Sequence, residues 1–419
     1  MSAPTEASVR RDVRAWLAEN WCPELGLIEW RSRLVASGWG CPAWPEAWYG
    51  KGLSPGLAAV AEEELRRVGA VGVAQFGVRL LAAATLLEHG SDAQKKLLPR
   101  ILTGEDTWCQ LFSEPGSGSD LAGLSTRATP DDDGWIVNGQ KVWTTSAQHA
   151  DYGMLLARTD WDLPKHRGLS YFVLDMHQPG VVVRPLRQMN GYTSFNEVFM
   201  TDARLRKDSL VGKVGEGWKV ALTTLAHERR LADSMRNWGR VERGQGRIYD
   251  ELQAEHATVM EPYKWYPQRA GRVDLLMDRA RITGRIDDPV VRQEIAKVLM
   301  LERATEWTAQ RARAARTLGQ PPGAEGSLGK LAASHVARAA ARAHAAISGA
   351  DSMLAGEDGP VNGLIAEILI SVPACSIAGG TDEIQRNIIA ERVLGLPKEP
   401  GGDAEIPFRD VRRNSTGPT

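Results

Sequence analysis

The hydrophobic period changes twice along this chain, and that double switch limits the folds open to it more than any other feature. Residues 1 to about 108 read as helical. Ser54-Pro55 offers an N-cap followed by proline at the first helical position, and Ser91 with Gln94 three residues on makes a capping box that Gly104 closes. Beyond Trp108 the apolar residues alternate. Trp135-Ile-Val-Asn-Gly-Gln-Lys-Val-Trp143 predicts two short strands around an Asn-Gly turn. Tyr152–Ala157, Leu169–Leu174, Val181–Val183 and Glu197–Met200 add short β-runs at regular spacing. After Gly215-Glu-Gly217 the helical period returns. Asp288-Pro289 opens one long helix that Gly319 ends, Leu328–Ile347 forms another before Gly349, and Thr381 caps the last, which stops at Gly395.

The expected architecture is multidomain α+β. An N-terminal helical domain (1–108) precedes a central β-barrel or sandwich domain (109–215), a C-terminal four-helix bundle (216–397) and a loose tail (398–419) rich in Gly, Pro and charge. A chain of 419 residues, 43 % hydrophobic, can bury cores of that number. Its net charge of −1 favours neither nucleic acid nor an anionic membrane, and no apolar run is long enough to span a bilayer. The arginines at 311, 313 and 316 read as a solvated helix flank. Four cysteines (22, 41, 109, 375) stand far apart with no Cys-x-x-Cys pair, and no histidine cluster suggests a metal. A soluble cytoplasmic protein is expected.

Three stretches carry chemistry. Leu111-Phe-Ser-Glu-Pro-Gly-Ser-Gly-Ser-Asp120 is a run of turn residues rich in free backbone N–H groups and hydroxyls. It is no dinucleotide fingerprint, because Leu121 stands where the third glycine would be, and no Gly-Lys-Ser/Thr follows to make a phosphate loop. Lys141-Val-Trp-Thr-Thr145 sets a flat indole and two hydroxyls at a strand end. Ala378-Gly-Gly-Thr-Asp-Glu-Ile-Gln-Arg386 opens the last helix, whose N-terminus suits an anion.

In content, order and spacing these stretches resemble the acyl-CoA dehydrogenase family of flavoproteins over nearly the whole chain. The resemblance implies FAD. The backbone around Leu111 and Ser113 would bind the pyrimidine edge of the flavin, and Trp143 and Thr145 the opposite part of the ring. Gly118 and Ser119 would line the phosphate and substrate side, and Thr381 and Glu383 match further FAD positions. N–H donors near N1 and the C2 carbonyl would stabilise the reduced anion.

In many members a glutamate just before Gly-Thr removes the substrate's α-proton. Here that place is Gly379, whose N–H, beside Gly380, can polarise the thioester carbonyl but cannot accept a proton. The isovaleryl- and long-chain-type enzymes carry the base on the first helix of the C-terminal domain, directly before an arginine. Ala226-His-Glu228-Arg229 stands there in this chain. The resemblance therefore implies Glu228 as base, raised towards neutral pKa by a desolvating acyl chain, with Arg229 organising the substrate pocket. His227-Glu228 is no zinc helix, since Leu231 occupies the second histidine's place. The family's Phe-Gly pair is absent around Arg281–Arg285. Its adenine loop is degraded to Ser348-Gly-Ala-Asp351, and Pro373 replaces a common arginine.

The implied function is α,β-dehydrogenation of an acyl-CoA, with electrons passed to an electron-transfer flavoprotein, by a homotetramer or heterotetramer. Two alternatives stay open: an oxygen-using oxidase or monooxygenase on the same fold, and a non-catalytic subunit that completes a partner's FAD site.

Overall fold

The computed structural model describes residues 3–74, 77–234, 244–317, 323–398, 403 and 405–411; side chains 229–234, 316, 317 and 325 fall outside that description. Two compact units result. The first comprises residues 1–186, 194–262 and 402–419, the second 187–193 and 263–401.

The first unit opens with six helices: α1 (Glu6–Asn20), α2 (Leu27–Ser37), α3 (Pro55–Arg67), α4 (Arg79–His89), α5 (Asp92–Lys95) and α6 (Leu98–Thr103). The Ser91–Gln94 capping box forms as expected, and Gly104 ends α6 in the left-handed conformation. Trp30 lies at the centre of their core, its indole N–H donating to Val71 O at 2.6 Å.

Eight strands follow: β1 (Trp108–Leu111), β2 (Arg127–Asp131), β3 (Gly134–Thr145), β4 (Tyr152–Arg158), β5 (Leu169–Asp175), β6 (Val181–Leu186), β7 (Phe195–Arg206) and β8 (Leu210–Val211). They form one sheet in the order β6-β7-β3-β2-β4-β5-β8, with β1 parallel to β4. β4 and β5 are buried on both faces. Leu155, Ala157, Phe172 and Leu174 enter the sheet's inner core, while Met154, Leu156, Tyr171 and Val173 face helices.

The expected Asn-Gly hairpin does not form. β3 runs straight through Asn138-Gly139 with a register shift against β7, and the real hairpin turns at 131–134, between β2 and β3. Asn138 is engaged sideways: its Nδ2 donates to Asp202 Oδ1 and its Oδ1 accepts from Asp202 N, each at 3.0 Å. Gly139 is required by close approach, since a Cβ there would stand 2.8 Å from Thr126 Cα.

Helices α7 (Gly217–Ser234) and α8 (Arg247–Met260) also pack in the first unit, so a bundle drawn from residue 216 begins too early. α7 lays Val220 and Ala221 on the core shared by α4 and β5. α8 adds Ile248, Tyr249 and Leu252 to the N-terminal core, and Glu255 receives Arg31 and Arg79 at 2.7 and 2.8 Å.

The tail expected to be loose is anchored in its described part. Phe408, 1 % exposed, sits under the Arg158 guanidinium at 3.4 Å and against Trp161. Phe408 N and Arg409 N donate to Leu163 O and Trp161 O at 3.0 Å each, Lys165 pairs with Asp403 at 3.3 Å, and Arg409 pairs with Asp162. One apolar anchor outweighs the Gly/Pro-rich composition.

The second unit holds α9 (Tyr266–Arg269), α10 (Leu276–Ile282), α11 (Pro289–Thr317), α12 (Glu325–Ser348), α13 (Leu364–Ser371) and α14 (Asp382–Arg392). Asp288 caps α11 by accepting from Val290 N at 2.9 Å; the predicted stop at Gly319 lies outside the described residues. Ala339, Ala340 and Ala343 give α12 a small-residue face against Val291, Ile295 and Val298 of α11. Asn190, in the β6–β7 connection, donates to Ser371 at 3.1 Å. Among the described residues no helix is long and apolar enough to cross a membrane, and no group of three His, Cys, Asp or Glu could hold a metal ion.

Candidate functional site

In the first unit the loop after β1 is built on a buried ion pair that sequence reasoning missed. Lys141 is wholly buried, and its ammonium donates to Glu114 Oε1 at 2.9 Å and to Phe112 O at 3.0 Å. The Glu114 carboxylate also accepts from Ser125 N at 2.6 Å and Thr126 N at 2.8 Å. Burial pushes the Glu114 carboxyl up, but Lys141 and these donors outweigh it and hold the group below the usual carboxylate range. Burial likewise pulls the Lys141 ammonium down, with Glu114 opposing. Val142 N donates to Ser113 O at 2.9 Å, and Glu114 and Ser117 exchange backbone hydrogen bonds of 2.9 and 3.0 Å. Leu111 is buried and Ser113 half-buried at the base of this turn. Gly118 and Ser119 are exposed at its tip, and a Cβ on Gly118 would meet none of the described residues within 4 Å.

Trp143 sits in β3 at a register shift between Lys141 and Thr144, with φ of +62°. A bulky residue in that region costs about 1–3 kcal/mol and marks a position shaped for a purpose. The indole is 56 % exposed, with one edge-to-face neighbour, Phe195, at 5.7 Å. Beside it Thr144 is buried, its hydroxyl without a partner among the described residues, and Thr145 is half-buried. A flat apolar face, an unmet hydroxyl and an open glycine loop are what a planar ring with polar edges would need.

Glu228 occupies the inward side of α7. Val220, Thr224 and Glu228 recur at four-residue spacing on one face, and the first two are fully buried. Thr224 sets the helix's rotation, its hydroxyl lying 2.9 Å from Thr85 Oγ1 and 3.2 Å from Tyr171 OH. One turn on, Glu228 is half-buried, and Gln110 Nε2 donates to its Oε2 at 3.4 Å. Gln110 was not anticipated; its only sequence signal is an amide inside an apolar strand. Arg229 stands next on α7, its side chain outside the described residues.

The second unit contains the glycine motif. Gly379 and Gly380 have φ of +71° and +87°. Gln385 closes the turn by donating to both carbonyls at 3.3 and 3.2 Å, so that a Cβ on Gly380 would meet its Nε2 at 2.6 Å. Thr381 caps α14 by accepting from Ile384 N at 3.3 Å. Glu383 is exposed and pairs with Arg386 at 3.2 Å. The neighbouring Asp382 anchors the motif. It is buried and receives Lys330 at 3.2 Å and Arg338 at 2.9 Å; burial pushes its carboxyl up, but a Ser334 hydrogen bond and these two cations outweigh it and hold the group below the usual range. Arg281 is exposed and paired with Asp278. A Cβ on Gly379 would meet none of the described residues within 4 Å.

Comparison with known proteins agrees across the chain. The acyl-CoA dehydrogenase N-terminal, middle and C-terminal domains match residues 3–105, 109–203 and 271–394. Acyl-CoA dehydrogenase IpdE1 of Mycobacterium tuberculosis is 36 % identical over 94 % of this chain and 98 % of its own. Acyl-CoA dehydrogenase FadE34 of the same organism is 34 % identical over 95 % of this chain and 52 % of its own. Among solved structures, the ChsE4-ChsE5 complex of M. tuberculosis superposes with a TM-score of 0.61 at 26 % identity, covering 95 % of this chain and 99 % of that one. Three successive domain matches and a relative matched over nearly its whole length show that the chain belongs to the acyl-CoA dehydrogenase family of oxidoreductases.

Proposed function

We propose that this protein introduces the α,β double bond into an acyl-CoA thioester, with Glu228 as the base, and passes the electrons to an electron-transfer flavoprotein. The observation that carries the reading is the placement of Glu228. It extends the buried face of α7 within the unit that also holds the glycine loop and the exposed indole of Trp143. When bound, FAD supplies the acceptor for the hydride leaving the β-carbon. The chain does the rest. Leu111 and Ser113 would hold the ring through backbone groups, and Trp143 and Thr145 through an apolar face and a hydroxyl. Gly118 and Ser119 leave the loop tip open to phosphate and thioester. Polarisation of the thioester carbonyl acidifies the α-carbon, and Glu228 takes the proton. Arg229 orients the acyl group.

Assembly as a homotetramer or heterotetramer fits this reading, since one solved relative is a two-component complex. The test is anaerobic mixing of the purified flavoprotein with straight-chain, branched and steroid-derived acyl-CoAs. Flavin absorbance should bleach with at least one, and Glu228→Gln should abolish bleaching while FAD stays bound. No bleaching with any thioester makes the chain a partner's non-catalytic subunit. Peroxide or a hydroxylated product under air makes it an oxygen-using enzyme, and full activity in Glu228→Gln removes that residue from the chemistry.

A further inference from the structure

We infer that Gln110 is the positioning residue of the base: its side-chain amide keeps the Glu228 carboxylate aimed and ionised for proton abstraction. The inference rests on Glu228 being the base and adds to it a second residue of the same site. Gln110 lies in β1 between Cys109 and Leu111, whose side chains enter the inner core of the sheet. Alternation turns Gln110 to the other face, with Trp108 and Phe112, which pack among residues of α4 and α7. An amide in that apolar row needs a polar partner, and Nε2 finds Glu228 Oε2 at 3.4 Å. Both ends are fixed by regular structure. β1 pairs residue by residue with β4, Gln110 opposite Met154, and Thr224 holds α7 in rotation from one turn below. A pair set by a strand and a helix is more sharply placed than one set by loops.

The chemistry favours an amide in that position. A base must be ionised before it can act, and an acyl chain closing over Glu228 opposes ionisation by desolvation. An N–H donated to the carboxylate counters that push. A lysine or arginine there would stabilise the anion with a full charge and weaken it as a base, and a leucine would oppose nothing. In the step itself the α C–H bond breaks, an O–H bond forms on Glu228, and the electron pair passes into the thioester carbonyl. Gln110 gains and loses no proton. Because its terminus carries an acceptor as well as donors, rotation of the same side chain can then accept from the new O–H.

The test separates proton transfer from turnover. A 3-thia analogue of the acyl-CoA that bleaches the flavin fastest can lose its α-proton but has no β-carbon hydride to give. Exchange of its α-hydrogen with deuterated water, followed by mass spectrometry across pH, therefore reads the base alone. Exchange should rise with pH as Glu228 ionises. In Gln110→Leu and Gln110→Asn the midpoint should move upward by roughly half a unit to one unit, a loss of about 3- to 10-fold on the acid side. Gln110→Glu should move it further through like-charge repulsion. An unmoved midpoint in Leu, Asn and Glu variants that still bind FAD overturns the positioning role. If at the same time Glu228→Gln has lost exchange, the base assignment stands without it. Undiminished exchange in Glu228→Gln overturns the base assignment instead.

Discussion

Replacing Lys141 by methionine tests how the glycine loop is held. The substitution keeps the length of the side chain and removes the charge opposite Glu114, a carboxylate only 9 % exposed. Breaking a buried pair from one side costs about 3–5 kcal/mol. Glu114 retains the Ser125 and Thr126 amides, so the loss should fall near the lower end, about 3 kcal/mol. That corresponds to a fall in melting temperature of roughly 6–12 °C for a unit of this size. Glu114→Gln in the same background removes the stranded charge while keeping an acceptor for both amides, and should restore most of the loss. The pH dependence has a definite sign. The folded Glu114 carboxyl lies below its ordinary value, so the stability it contributes is present above the unfolded carboxylate range near pH ~4.3 and is lost as pH falls through the folded value. In Lys141→Met burial prevails and the carboxyl rises. The gap between variant and parent should therefore narrow as pH is lowered from about 7 to 4. Denaturant unfolding of the cofactor-free protein at several pH values measures all three quantities. A single variant within about 0.5 kcal/mol of the parent, or a double variant no better than the single, would refute the argument.

Two other variants probe the remaining features. Trp143→Gly relieves a left-handed backbone worth about 1–3 kcal/mol and removes a mostly exposed ring, so the cofactor-free protein should melt no lower than the parent. FAD affinity, read by fluorescence titration, should fall at least about tenfold, and unchanged affinity would take the indole out of the cofactor site. Phe408→Ala removes about 3–5 kcal/mol of burial from a short segment whose other ties are mostly surface ion pairs. The segment should detach locally, seen as rapid tryptic cleavage after Lys398 while the rest of the chain stays folded; an unchanged digestion pattern would show that the ring is dispensable.

What could be read from residues alone depended on the range of the force involved. The capping box at Ser91, the aspartate cap at Asp288 and the threonine cap of α14 are interactions over two or three positions, and each forms where the residues predict it. The β-runs at Tyr152–Ala157, Leu169–Leu174, Val181–Val183 and Glu197–Met200 are short apolar-rich stretches and appear at the expected places. Asn138-Gly139 misled because its local preference for a turn lost to contacts with Asp202 on β7 and with Thr126 just before β2. The tail misled for the opposite reason, since a single buried ring outweighed a composition that reads as loose.

The order of helical and β-patterned segments, the three motifs and the missing side chain at Gly379 were all determined by the sequence, because each is a property of neighbouring residues. Only the tertiary structure decided which face of α7 turns inward, that Glu114 needs Lys141, and that Gln110 meets Glu228 across 118 positions. Those pairings arise when burial removes water from groups that must then find partners, and no period or spacing along the chain encodes which partner is near.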